Sequence, residues 1–166
     1  IHGNSLTGIA SLDEVLEIIE PSKSDASAKW RTDSLFRQPL VDGLRAAEEP
    51  LRRAARLAEA SVGESEEARV LRDEAEGLLA PVRAVMDAAL ASRLGRIFLL
   101  DATVRGWDAV VAKGNSTVVR DALEGLDPVH FPVAFPEVFS GDRRGFDVIL
   151  GNPPWEEVTV EETKFW

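Results

Sequence analysis

The stretch that decides the predicted fold lies near the carboxyl end and reads Phe146-Asp147-Val148-Ile149-Leu150-Gly151-Asn152-Pro153-Pro154-Trp155. Its first five residues, 146–150, form a short run that is rich in β-favouring side chains and is apolar apart from the aspartate. Such a run is typical of a strand buried on both faces, as in a parallel sheet covered by helices. The sequence therefore predicts a buried strand followed at once by a loop.

The loop after this strand is predicted to be a binding site. Asn152 offers a side-chain oxygen, and neither Pro153 nor Pro154 has an N–H, which leaves the carbonyl of Pro153 free to accept a hydrogen bond. Two converging acceptors suit a group with two donors, such as an exocyclic amino group or a primary amide. Trp155 adds a flat face, and stacking of a base on an aromatic ring contributes about 1–3 kcal/mol. Ligands of open α/β sheets bind just beyond the carboxyl ends of strands, which is where this loop falls.

The segment before the strand, residues 127–139, is rich in proline and aromatic residues. Pro128, Pro132 and Pro136 follow one another at a spacing of four. Because proline is excluded from helix interiors and central strands, we predict an extended, irregular segment here. We interpret His130 as a loop histidine that holds backbone rather than as a catalyst.

The middle of the chain has a helical pattern. Apolar residues recur at steps of four and three in two runs, residues 40–62 and 71–89, with Gly63 between them. Two such stripes joined by a short connection predict an antiparallel helical hairpin. Pro50 and Pro81 are predicted to start new helical segments or to kink the helices that contain them.

Shorter helices are predicted on both sides of the hairpin. Ser11 and Glu14 stand at capping-box spacing and predict a helix that ends before proline 21. Residues 97–112 predict another helix with a weak point at Gly106, and Ser116 is placed to cap a helix over residues 116–123.

Composition excludes several kinds of site. The 166 residues contain no cysteine, two histidines and a net charge of −10. Disulfides, thiolate zinc sites and a cysteine nucleophile are thereby excluded, and we expect no metal centre. No apolar run approaches the roughly 18 residues of a membrane span, so we expect a soluble chain with no membrane partner. We expect a cytoplasmic location, with which the absence of cysteine is compatible. The acidic excess makes the chain by itself a poor ligand for duplex DNA. Because residues 161–166 look like a helix cut in its first turns, we expect an internal piece of a longer protein.

Three motifs resemble a known enzyme family. Residues 146–155 resemble the catalytic motif of amino-group DNA methyltransferases, (Asn/Asp/Ser)-Pro-Pro-(Tyr/Phe/Trp), whose asparagine form most often belongs to adenine-N6 enzymes. Residues 129–139 resemble the His-(Phe/Trp)-Pro-x-x-Phe-Pro-Glu-Val-Phe segment of the large methyltransferases of type II restriction-modification and phage-defence systems. Gly3-Asn4-Ser5-Leu6 resembles a Gly-(Asp/Asn)-Ser-Leu turn that lies beside the adenine of S-adenosylmethionine. Together they cover about a quarter of the chain.

The resemblance implies roles for individual residues. The target adenine would leave the DNA stack, Trp155 would stack on it, and Asn152 with the carbonyl of Pro153 would accept its two N6 hydrogens. Pro154 completes the motif, and Asn4 would contact the cofactor. The Gly-rich cofactor loop of the family and the acidic residue that follows it do not occur in this sequence, so the chain alone is expected to be inactive.

The expected architecture follows from these assignments. It is an α/β fragment, mostly helical, with a helical hairpin inserted between pieces of a class I, Rossmann-like methyltransferase sheet. Residues 1–34 would form the cofactor-side turn, a helix and a loop; residues 35–126 the insertion; and residues 127–166 the lead-in, strand and target-base loop. The partners would be DNA with a flipped-out adenine and the remaining domains of the parent enzyme.

Two other functions stay open. A protein glutamine-amide N-methyltransferase needs the same pair of acceptors, because a primary amide also has two N–H donors. A non-catalytic helical interaction module that keeps a vestigial motif is the alternative from a different class.

Overall fold

The computed structural model describes residues 7–20, 34–60, 66–141 and 145–150, with the backbone alone for residues 58–60. None of the helices in these ranges combines the length and the apolar character that a bilayer crossing requires. The helices in the described ranges are α1 Leu12–Ile19, α2 Arg37–Ala60, α3 Glu66–Arg93, α4 Leu100–Arg105, α5 Trp107–Gly114, α6 Thr117–Ala122, α7 Phe131–Ala134 and α8 Pro136–Phe139.

The second half of α3 lies at the centre of the fold. This helix contacts α1, α2, α5, α6 and α7. A helix surrounded in this way must be apolar on most of its circumference. The residues that meet this requirement are Val82, Ala84, Val85, Met86, Ala88, Ala89, Leu90 and Ala91, all of them buried.

The predicted antiparallel hairpin is confirmed by the packing of α2 on α3. Near the start of α2, Gly43 faces the side chain of Val82, which lies far along α3. Further along α2, Arg53 lies 3.6 Å from the carboxylate of Glu67, at the start of α3. The two helices therefore run in opposite directions, and the predicted stripes face each other.

The predicted helix caps at Ser11 and Ser116 are also confirmed. The Ser11 hydroxyl accepts a hydrogen bond from the Glu14 backbone N–H at 3.2 Å, and α1 follows directly. Ser116 caps α6 by accepting from the N–H of Val119 at 3.4 Å. The single helix predicted over residues 97–112 is wrong, because the chain forms two helices, α4 and α5, that are separated at the predicted weak point. Gly106 has a φ of 93°, which only glycine adopts without strain.

The predicted Rossmann-like sheet is wrong for the part of the chain that the structure describes. No strand occurs in the described ranges, and residues 146–150 are not helical either. Val148, Ile149 and Leu150 are 71%, 72% and 92% exposed, where a buried strand was expected. A strand needs a neighbour to bond its backbone groups, and the described ranges contain none. The division at residues 34 and 126 stays a prediction.

Two predictions from proline differ from the structure. Helices α2 and α3 run through Pro50 and Pro81 without ending, so no new helical segment starts at either proline, while the alternative of a kink stays a prediction. The predicted extended lead-in instead contains α7 and α8, each a single turn. Pro132 and Pro136 stand in the first turns of these helices, where no N–H donor is needed.

Helix α5 approaches α3 closely because Gly114 lacks a side chain. A Cβ at this position would overlap the carbonyl group of Ala84, which is backbone and cannot turn aside. Alanine on α3 and glycine on α5 together let the two backbones come into contact. This contact fixes α5 against the central helix.

We predict opposite effects for two glycine-to-alanine variants. Gly114→Ala should lower the free energy of unfolding by about 2 kcal/mol, because overpacking a backbone contact forces the helices apart. Gly77→Ala, on the exposed face of α3 where an added methyl group would meet no other atom, should raise it by about 0.5–1 kcal/mol. Urea unfolding followed by circular dichroism measures both changes. Equal effects of the two variants would contradict the close approach.

Candidate functional site

The residues that the sequence nominated for the site, Asn4, Asn152, Pro153, Pro154 and Trp155, lie outside the described residues. The structure does describe the segment that follows Asn4 and the segment that precedes Asn152 in the sequence. One flank is residues 7–9, which come three to five positions after Asn4 in the sequence. The other is residues 126–150, which lead to Asn152. The geometry of the candidate site is therefore that of its two flanks.

Hydrogen bonds join these two flanks. We call the contact between residues 7–9 and residues 126–131 the junction. The Thr7 hydroxyl donates to the carbonyl of Leu126 at 3.3 Å. The Ile9 N–H donates to Nδ1 of His130 at 3.0 Å, and the Ile9 carbonyl accepts from the N–H of Phe131 at 3.0 Å. Residues 7–9 thus lie against residues 126–131.

His130 is the side chain at the centre of the junction. It is 4% exposed and lies at the start of α7. Since Nδ1 accepts the Ile9 N–H, the neutral ring carries its proton on Nε2, and this nitrogen lies 2.9 Å from a carboxylate oxygen of Asp87. The interpretation of His130 as a histidine that holds backbone is confirmed.

Arg93 holds the same segment from the end of α3. One of its guanidinium nitrogens, Nη2, lies 3.2 Å from both the Thr7 and the Gly8 carbonyl oxygens. Its Nη1 pairs with the carboxylate of Glu14 in α1. Helix α3 therefore reaches the junction on two sides, through Asp87 behind the histidine and through Arg93 on the backbone of residues 7 and 8.

Gly8 lets the two flanks touch. A Cβ here would overlap the carbonyl of Val129. Any side chain at this position would move residues 7–9 away from the lead-in. The glycine is therefore required by close approach, just as Gly114 is between α5 and α3.

An aromatic cluster connects the lead-in to the segment that precedes Asn152. The ring of Phe146 packs edge-on against Phe131, Phe135 and Phe139, with centroid distances of 6.2, 5.2 and 5.8 Å. Phe131 is also the residue that donates to Ile9. The first residue of the predicted strand is therefore anchored beside the junction, six positions before Asn152.

The charges around the junction bear on where DNA can lie. An open cleft of about 600 Å³ beside Asp87 is lined by three further carboxylates, those of Asp121, Glu124 and Asp127. Arg120 is the basic residue among those that line it. Because carboxylates repel phosphate, this cleft is unsuited to the DNA backbone.

Sequence reasoning missed Asp87 and Arg93. Both lie in α3, within the region interpreted as an insertion, and their partners are far away in the sequence. A weak signal was present, since Asp87 is a charged residue inside an otherwise apolar run of a predicted core helix. Such a residue requires a polar partner when the helix is buried. The partner, His130, could not be identified without the fold.

No protein-family model, no curated protein and no solved structure matches this chain.

We predict that Phe146 fixes the segment before Asn152. Phe146→Ala should lower the free energy of unfolding by about 1 kcal/mol, because the ring is 38% exposed but makes three edge-on ring contacts. It should also speed amide exchange of residues 146–150. Val148→Ala is the matched control, since that side chain is 71% exposed and surface truncations usually change stability by less than about 0.5 kcal/mol. Hydrogen exchange read by mass spectrometry would contradict the assignment if both variants exchanged like the unsubstituted protein.

Proposed function

We propose that this chain is part of an S-adenosylmethionine-dependent DNA methyltransferase that methylates the N6 amino group of adenine, in a restriction-modification or phage-defence system. The enzyme would be a longer, cytoplasmic protein, and this chain would supply its target-base loop and one cofactor contact. The proposal rests first on the Asn152-Pro153-Pro154-Trp155 motif with its apolar approach. Its support in the structure is the junction.

The junction supports the proposal because methyl transfer needs the donor and the acceptor side by side. The turn with Asn4, assigned to the cofactor side, is followed within three residues by Thr7. Thr7 and Ile9 are bonded to the lead-in of the target-base motif. Two motifs almost 150 positions apart in sequence thus have flanks in direct contact. This single observation favours one shared site over two unrelated turns.

The proposed chemistry assigns a task to each residue of the loop. The side-chain oxygen of Asn152 and the carbonyl of Pro153 accept the two N6 hydrogens, which draws the nitrogen lone pair out of conjugation with the ring. Trp155 holds the extruded adenine by stacking. Pro154 keeps the loop free of competing N–H donors. The contribution of the loop is positioning and electrostatic preorganisation, with no covalent intermediate on the protein.

S-adenosylmethionine, when bound, supplies an electrophilic methyl group on sulfur. The residue assigned to it here is Asn4, whose amide can both donate and accept hydrogen bonds. The assignment is supported by the hold that Arg93 has on the backbone carbonyls of Thr7 and Gly8, which follow Asn4 closely in the sequence.

The charge of the chain decides where DNA affinity must come from. With 29 acidic residues against 19 lysines and arginines, the chain offers little sequence-independent attraction for phosphate. On α2, Arg52 lies 2.7 Å from Glu49 and 3.5 Å from Glu48, so part of its charge is already balanced. We therefore assign DNA binding to other parts of the enzyme and base handling to this chain.

We predict that Asn152→Ala in the full-length protein abolishes adenine methylation while S-adenosylmethionine still binds. The reason is that the variant loses one of two acceptors for the amino group, and a single preorganised hydrogen-bonding group typically contributes about 100- to 1,000-fold in rate. Asn115→Ala, the same chemical change at the end of α5, is the control and should leave turnover unchanged. Mass spectrometry of digested DNA measures N6-methyladenine.

Unchanged turnover of the Asn152→Ala variant would refute the role of that residue. The same assay separates the other functions. Methylation of a glutamine amide in protein substrates, with none in DNA, would favour the amide methyltransferase. Absence of both, together with absent cofactor binding, would favour the interaction module.

A second prediction concerns the cofactor side. Asn4→Ala in the full-length protein should weaken S-adenosylmethionine binding about fivefold, the effect of one typical hydrogen bond. Turnover at saturating cofactor should change little, because the acceptors for the amino group remain. Isothermal titration calorimetry gives the affinity and steady-state kinetics the turnover. An unchanged affinity would remove Asn4 from the cofactor site.

A further inference from the structure

We propose that the exposed side of α4 binds the same surface of a second copy of this chain, with the two helices antiparallel about a twofold axis. This surface consists of Leu100, Asp101, Val104 and Arg105, with Phe98 just before the helix, and we call these five residues the α4 face. The inference does not depend on the proposed function, because the α4 face lies outside both flanks of the candidate site.

The α4 face carries three large apolar side chains that no other part of the described chain covers. Phe98, Leu100 and Val104 are 95%, 72% and 80% exposed. Leu99, between the first two, is buried, so Phe98 and Leu100 both point away from the core. Ala102 is buried as well, and α4 packs on α5. The helix is therefore anchored on one side and open on the other, and an exposed apolar surface of this kind favours contact with another macromolecule.

The apolar and charged residues of α4 form two neighbouring rows. Leu100 and Val104 stand one helical turn apart on one side of the helix, and Asp101 and Arg105 do the same beside them. These four residues line an open depression of about 570 Å³. A partner that fills the depression must therefore offer an apolar row and a charged row in register.

Asp101 and Arg105 do not pair with each other, although their spacing would allow it. Opposite charges four positions apart on a helix attract, as Arg52 and Glu48 do on α2 at 3.5 Å. Arg105 instead donates from Nε to the backbone carbonyl of Asp101 at 3.1 Å. Within the described residues, the Asp101 carboxylate has no donor and the Nη nitrogens of Arg105 have no acceptor. Both charges are therefore available to a partner.

The order of these residues makes the α4 face complementary to itself. In an antiparallel pair of α4 helices, Leu100 of each copy faces Val104 of the other. In the same arrangement Asp101 of each copy faces Arg105 of the other. A twofold contact repeats every pairing, because residue i meets j and j meets i. An identical face thus supplies both rows, whereas a parallel arrangement would place like charges together.

The charge of the chain also favours this face for self-association. Copies of a chain with a net charge of −10 repel one another. The α4 face carries one charge of each sign and is neutral. By contrast, the cleft beside Asp87 is lined by three further carboxylates and one arginine. Two copies can therefore meet at α4 without opposition from the local charge.

Sedimentation velocity of the full-length protein over a dilution series tests the contact. A face of this size belongs to the small, transient class of interfaces, so we expect a dimer that dissociates on dilution. Val104→Asp should remove the dimer, because it places an unpaired charge in the apolar contact. Val118→Asp is the matched control, the same change at an exposed position of α6, and should leave the dimer intact. Circular dichroism shows whether both variants are folded.

A charge exchange tests the antiparallel orientation. Asp101→Arg and Arg105→Asp, each alone, should weaken the dimer about tenfold, because both ion pairs become like-charge contacts. An equimolar mixture of the two variants should dimerise like the unsubstituted protein, since every arginine then meets an aspartate. The mixture also separates the contact from a folding defect, because mixing does not rescue a misfolded variant.

Three results would overturn the inference. A protein that is monomeric at every concentration would exclude the second copy. In that case, faster hydrogen exchange of residues 98–105 in Val104→Asp than in the unsubstituted monomer would show that another part of the protein covers the α4 face. A dimer that Val104→Asp leaves unchanged would place the contact elsewhere. Weakened single variants whose mixture does not recover would refute the antiparallel pairing. The proposed function stands in all three cases, because its test is methylation.

Discussion

The buried backbone of Ile9 joins two distant parts of the chain by hydrogen bonds. Its N–H and its carbonyl are both bonded to the chain about 120 positions further on, to the ring of His130 and to the N–H of Phe131. Buried backbone groups left without partners are costly, so this pairing can only be replaced by another equally complete one. The pairing holds residues 7–9 against residues 126–131.

Helix α3 makes that meeting possible. Its second half is enclosed by apolar side chains, yet it carries two charged residues, Asp87 and Arg93, that leave the core and act on the junction. The enclosure is helped by small residues, since Gly114 lets α5 lie directly on the backbone at Ala84. The helical body is therefore more than a spacer, because it provides the side chains that orient His130 and hold residues 7 and 8.

The parts of this fold that depend on local chemistry were predictable from the sequence. The caps at Ser11 and Ser116 and the break at Gly106 depend on a few adjacent residues. The packing of the apolar stripes of α2 and α3 could be predicted from their period and from the short connection between the two helices. The strand at residues 146–150 was predicted wrongly because a strand is defined by a neighbour, which local pattern cannot supply. The turns α7 and α8 were missed because proline is compatible with the first turn of a helix as well as with an extended chain.

The candidate site shows the same division. The motif residues could be predicted from the sequence, because they are adjacent and their lack of backbone N–H donors follows from the two prolines. The residues that hold the flanks together could not, because the pairing of Asp87 with His130 spans 43 positions and that of Ile9 with His130 spans 121. Contacts of that separation follow from the packing of α3 against the lead-in, and only the fold reveals it.

The cofactor-side and target-base flanks are proposed to work while bonded to each other, and this is the central claim. The most direct measurement is the methylation activity of the full-length protein carrying Gly8→Ala, compared with the same protein carrying Gly77→Ala. A Cβ at residue 8 would overlap the Val129 carbonyl and push the two flanks apart, whereas a Cβ at residue 77 has nothing within 4 Å to meet. The account predicts that the Gly8→Ala protein loses methylation and that the Gly77→Ala protein keeps it, while circular dichroism shows both to be folded. A folded Gly8→Ala protein that methylates adenine at the unsubstituted rate would contradict it.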